Sequence, residues 1–94
     1  MKIEKINIKE IYNEIVVHSL NITNANFKLV SKEFIQINEH GMVEMECAVR
    51  REDGKCFIFN CWTSRDKEYI LPAEAEQCNV IPLKTLKYQR IWAG

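Results

Sequence analysis

The chain has 94 residues, with 13 Lys plus Arg balancing 13 Asp plus Glu, and 47% of it is hydrophobic. That is material for a single domain over 1–94, too apolar for a disordered chain and too short for two domains. The zero net charge argues against a dedicated duplex-DNA binder, whose affinity comes from Lys and Arg on phosphates, and against a strongly acidic DNA mimic.

Residues 2–6 alternate polar and apolar with Ile3 and Ile6 out of phase, a poor strand. Met1-Lys2-Ile3-Glu4-Lys5 carries charge where a secretory signal would be apolar, and no apolar run is long enough to cross a bilayer. The expectation is a cytoplasmic protein without a membrane partner, its cysteines reduced. Asn7 and Glu10 form a capping-box pattern, and Ile8, Ile11, Tyr12, Ile15 and Val16 repeat with helical spacing. This predicts an amphipathic helix over 8–18, ending near His18, where Asn21, Asn24 and Asn26 favour turns.

A β-meander follows. Residues 27–38 are rich in aromatic and β-branched types, 42–50 alternate cleanly, and 55–63 place Phe57, Phe59 and Cys61 on one parity. The tetrads Asn38-Glu39-His40-Gly41 and Arg51-Glu52-Asp53-Gly54 each end in glycine, which fits a type I turn closed by a left-handed residue. That turn pairs Arg51 with Lys55, Val49 with Phe57, Cys47 with Phe59 and Met45 with Cys61. A one-residue slip would put Arg50 against Phe57, which the apolar pattern rejects. In the first hairpin Asn38 pairs with Met42, Ile37 with Val43 and Ile35 with Met45.

Residues 64–67 read as a turn and 69–71 as a short strand ending at Pro72. Pro72 is also well placed to begin a helical turn through 73–77. Leu86, Tyr88 and Trp92 share a parity that favours a strand over 83–92. The expected architecture is α+β: one amphipathic N-terminal helix packed on a four- to five-stranded antiparallel β-meander, in two layers.

The chemistry is read mostly by elimination. Cys47, Cys56, Cys61 and Cys78 contain no Cys-x-x-Cys pair, and the register sends Cys47 and Cys61 to the core side and Cys56 to the other, so no metal site is expected. Cys47 and Cys61 are diagonal neighbours rather than a direct pair, so no disulfide between them is expected, and the cysteines read as buried thiols. No nucleotide, cofactor or catalytic motif is present, and neither His18 nor His40 has a partner within its own element. The expectation is a non-enzyme without a cofactor.

Two surfaces remain. The second face of the meander carries Glu44, Glu46, Arg50, Ile58, Asn60 and Trp62, with Trp62 opposite Glu44 and Ile58 opposite Ala48. Trp and Arg are favoured at the energetic centres of interfaces, so Glu46, Arg50, Ile58, Asn60 and Trp62 are the candidate protein-binding residues. The first reading is a small non-enzymatic module, an inhibitor or adaptor, docking a sheet face or an edge strand on a partner protein. Self-association is a variant of it. The small size and the Ile, Lys and Asn richness point to an AT-rich genome such as that of a phage or mobile element. Residues 78–94 hold Lys84, Lys87 and Arg90 without an acid, beside Tyr88 and Trp92. Those five residues are the candidate site of the alternative, a single-stranded nucleic-acid or RNA binder.

Overall fold

The computed structural model describes residues 3–11, 26–64, 69–81 and 87–91. Within them the strands are β1 (Lys5–Asn7), β2 (Phe27–Ile37), β3 (Val43–Arg51), β4 (Cys56–Thr63), β5 (Tyr69–Ile70), β6 (Glu74–Ile81) and β7 (Lys87–Arg90). All pairings are antiparallel, in the order β1-β6-β4-β3-β2, with β5 on β4 and β7 on β6.

The expected helix-on-sheet architecture is not what the chain shows. The described residues are almost all antiparallel sheet, with no helix of seven or more residues. The capping box at Asn7 does form: the Asn7 side chain accepts from the Lys9 N–H at 2.9 Å, and the Glu10 carboxylate accepts from the Asn7 N–H at 3.2 Å. It caps only a 3₁₀ turn, Ile8–Glu10, directly after β1. A cap satisfies the first orphan N–H groups of any helical turn and does not fix how far the helix runs. The rest of the predicted helix, 12–18, lies outside the described residues, as does most of the predicted turn at 64–67.

The two glycine turns set the register of the sheet. Gly41 and Gly54 lie at φ 77° and 92°, and each donates its N–H to the residue three before it, Asn38 at 3.1 Å and Arg51 at 2.9 Å. Asn38 N–H bonds Met42 O at 2.9 Å and Arg51 N–H bonds Lys55 O at 2.8 Å, closing both hairpins as expected. Across β3 and β4 the pairs are Met45↔Cys61, Cys47↔Phe59 and Val49↔Phe57. The first hairpin keeps Ile37↔Val43 but departs further in. Irregularities at Val30 and Ile35 shift the register, so Phe34 rather than Ile35 stands across from Met45.

The C-terminal half is sheet where a helical turn was an option. β5 runs along β4 with Thr63↔Tyr69 and Trp62↔Ile70, and β6 resumes along the same strand with Ile58↔Glu76 and Phe57↔Gln77. The break between them, at 71–73, absorbs extra residues. Pro72 stands there because it has no N–H to give to a ladder. Past the β4 ladder, β6 pairs with β7.

The main core lies on one face. Cys47, Val49, Phe57, Phe59 and Cys61 meet Ile6, Ile8, Ile11 and Ala75, with Phe27, Leu29, Met45 and Leu71 packed at the margin. A smaller cluster on the opposite face gathers Cys56, Ile58 and Cys78 beneath Tyr88. One end of the core is closed by ions. The Arg51 guanidinium binds Glu4 through two nitrogens at 2.7 and 3.3 Å and Asp53 at 2.7 Å, and its carbon lies 4.9 Å from the centre of the Phe57 ring. Lys55 adds a 3.1 Å contact to Glu4.

Two outcomes follow from these contacts. Nothing lies within 4 Å of a Cβ built on Gly54, so Gly54→Ala carries only the left-handed backbone cost, about 1–2 kcal/mol, and Gly54→Asn less; urea unfolding measures both. Arg51, and then the Lys55 N–H, hold the Asp53 carboxyl at about 2, and Arg51 and Lys55 also lower that of Glu4. A depressed carboxylate stabilises fully above its ordinary range near pH 4 and loses that contribution as pH falls through about 2. In thermal melts taken down that range, wild type loses stability toward Arg51→Met, and the two curves converge at the acid end.

Candidate functional site

Register places all five predicted protein-binding residues on the face opposite the main core, since Glu46↔Asn60, Arg50↔Cys56, Ala48↔Ile58 and Glu44↔Trp62 are direct pairs. They do not all stand at the surface. Ile58 is 1% exposed and lies in the cluster under Tyr88. Trp62 is half-buried between β3 and β5. Arg50 is exposed, and Glu46 and Asn60 are partly buried.

A hydrogen-bonded belt crosses this face. Gln36 on β2 donates to Glu44 Oε1 at 2.9 Å, and Asn60 on β4 donates to Glu44 Oε2 at 3.0 Å. Arg90 on β7 donates to Asn60 Oδ1 at 2.6 Å and pairs with Glu76 on β6. Both Glu44 oxygens are thereby used, and the bonds from Asn60 and Gln36 lower its carboxyl. An amide bridging a carboxylate and a guanidinium satisfies three strands at once, so this belt ties the face together. Beside it Glu33 and Glu46 stand directly opposite each other on β2 and β3, a like-charge pair that disfavours the ladder.

The basic–aromatic set is divided. Lys87 is exposed, Tyr88 packs on Cys56, Ile58 and Cys78, and Arg90 is bound to Glu76 and Asn60. Lys84 and Trp92 lie outside the described residues. Tyr88 therefore has an intramolecular partner for its ring, and Arg90 partners for its charge.

Sequence patterning did not single out the most exposed apolar group. Phe34 and Ile37 are each 60% exposed and Ile35 is 43% exposed. All three lie on β2, the last strand in the sheet order. Every residue from 32 to 37 is exposed. The signal was present in the sequence: Phe34 and Ile35 are adjacent, so an outermost strand cannot turn both toward one core.

Other chemistry is sparse. His40 is exposed at the first turn, its Nε2 3.6 Å from a Glu39 oxygen, and His18 lies outside the described residues. Among the described residues no three His, Cys, Asp or Glu side chains converge as a metal site. A cleft of about 640 Å³ opens between Glu4, Lys5, Glu10, Asn26, Arg51 and Asp53; its arginine is already bound to Glu4 and Asp53. Among the described residues no helix is long and apolar enough to cross a membrane.

These features define a small antiparallel β-sheet domain. No family model, curated protein or solved structure matches the chain.

The belt has a measurable consequence. Asn60→Ala leaves Glu44 with Gln36 as its only bond in the belt and Arg90 with Glu76 alone. The expected cost is about 1–2 kcal/mol in urea unfolding, with the Glu44 carboxyl titrating higher by NMR than in wild type.

Proposed function

We propose that this protein is a non-enzymatic binding module that docks on a partner protein through the outer half of β2. The observation that carries the reading is the exposure of Phe34, Ile35 and Ile37 within four residues of an edge strand. Monomeric proteins rarely leave large apolar side chains clustered in the open, and such clusters mark interaction surfaces. The occupant is a partner protein with an apolar segment, which would cover Phe34 and Ile37 where the register sets them beside Met45 and Val43 on the main-core side of the sheet. The candidate contact set thus moves from Ile58, which is covered, to Phe34, Ile35 and Ile37; Glu46 stands on the opposite face of the sheet, across from Glu33. The nucleic-acid reading has less support, since Arg90 and Tyr88 are engaged inside the protein. The module is read as cytoplasmic, as an inhibitor or adaptor carried by a phage or mobile element.

The test places a photocrosslinking residue at Ile35 in cells of the native host. One discrete heteromeric species is expected. Phe34→Asp is expected to cut its yield at least about tenfold, with stability kept within about 0.5 kcal/mol because the site is exposed. An unchanged yield in Phe34→Asp, or an equal yield from a crosslinker at exposed Lys55, overturns the reading. A homodimer at Ile35, seen also by light scattering, replaces the partner by a second copy.

A further inference from the structure

The four cysteines, all free and all buried, fall into two pairs of different geometry. On the core face Cys47 and Cys61 bring their Sγ atoms to 3.9 Å, and both side chains are fully enclosed. They are diagonal neighbours, since Cys47 faces Phe59 and Cys61 faces Met45. Diagonal positions lie about 7–8 Å apart in an antiparallel sheet, at or beyond the reach of a disulfide without backbone movement.

On the other face the arrangement is direct. The β4–β6 ladder runs Ile58↔Glu76 and Phe57↔Gln77 and ends there; Cys56 and Cys78 are the next residues along the two strands, at the point where β6 takes up its pairing with β7. Both pack with Ile58 in one cluster, roofed by Tyr88. The ladder pair before them holds its Cα atoms about 4.5–5.5 Å apart, inside the range a disulfide spans, so one residue on the two thiols start within or close to that reach. The place matters to the fold. β4 shares eight register pairs with β3 and two with β6, so the next position lies at the thinnest seam between the two halves of the sheet.

We propose that Cys56 and Cys78 are a modification site that closes a reversible cross-strand disulfide, with a low-molecular-weight disulfide as oxidant, while Cys47 and Cys61 stay thiols. The Cys56 thiolate attacks one sulfur of the small disulfide, breaking its S–S bond and expelling one thiolate. The Cys78 thiolate then attacks Cys56 Sγ and expels the second. Two protein thiols are oxidised, one small disulfide is reduced to two thiols, and the two protons pass through solvent to the released thiolates. Burial raises both thiols, Cys78 to about 12, so exchange is slow and paced by opening of the β6–β7 ribbon.

The full chain is incubated under native conditions with 2-hydroxyethyl disulfide and followed by intact mass and peptide mapping. The expected product is lighter by two hydrogens, linked Cys56 to Cys78, reversed by dithiothreitol, and melts about 10 °C higher than the reduced protein. Cys47 and Cys61 react with an alkylating reagent only after unfolding. Cys47→Ala still forms the link, whereas Cys78→Ala stops at a mixed disulfide on Cys56. If the alanine variants do not fold, the peptide map of the wild-type chain decides alone. A link between any other two cysteines, a persistent mixed disulfide in wild type, or no oxidation overturns the proposal.

Discussion

Gly54 holds a backbone conformation, φ 92°, that a side chain rarely adopts, and the turn it closes decides which residue of β3 meets which residue of β4. With Arg51 bonded to Lys55, Val49 must face Phe57, and every second residue from there goes to the main core. The same choice sends Glu44, Glu46, Asn60 and Trp62 to the opposite face. Shifting the pairing by one residue would set Arg50 against Phe57 and, with β3 held in place, turn Asn60 toward the core and Phe57 and Phe59 away from it. The belt through Asn60, the enclosed thiols of Cys47 and Cys61, and the cluster around Ile58 all inherit their positions from that hairpin.

The second half of the sheet is attached more lightly. β6 lies between β1 and β4 and also carries β7, yet it touches β4 through a short ladder after the interruption at Pro72. Side chains reinforce that seam from both faces. On the core face Ala75 packs with Ile6 and the phenylalanines. On the other, Arg90 spans from Glu76 to Asn60, and Tyr88 lies over Cys56, Ile58 and Cys78. At one end Glu4 binds Arg51 and Lys55, so the chain just before β1 is fastened to the β3–β4 turn.

What could be read from the residues alone was local and repetitive. The two turns, the β3–β4 register and the division of the cysteines between faces all follow from period-two alternation anchored by glycine. The helix-on-sheet reading fails at its described start, residues 8–11, because capping and helical spacing describe how a helix can start and which face it would bury, and neither measures what the neighbouring strands demand. Ile8 and Ile11 do enter the core, but from a 3₁₀ turn attached to β1. β6 was hidden for a related reason. Glu74, Ala75, Glu76 and Gln77 have modest strand preference, and tertiary pairing with β1 and β4 overrides it. The bulges at Val30 and Ile35 leave only adjacent apolar residues as their mark, a signal that period-two alternation passes over because it assigns every other residue to the core.

Those bulges bear on how β2 can be used. A regular edge strand offers a continuous row of N–H and C=O groups, to which another chain can add as a further strand. β2 interrupts that row twice, at Val30 and Ile35, and carries two exposed lysines, Lys28 and Lys32. Both devices discourage strand addition. Its apolar side chains are nevertheless in the open, on the part of the strand farthest from the Arg51 end of the core. The polar belt of Gln36, Glu44 and Asn60 stands on the other face of the sheet and satisfies its own hydrogen bonds, so that face offers a partner few unmet donors or acceptors. Contact at β2 is therefore expected to run through the side chains of Phe34, Ile35 and Ile37, with the sheet ending where it does.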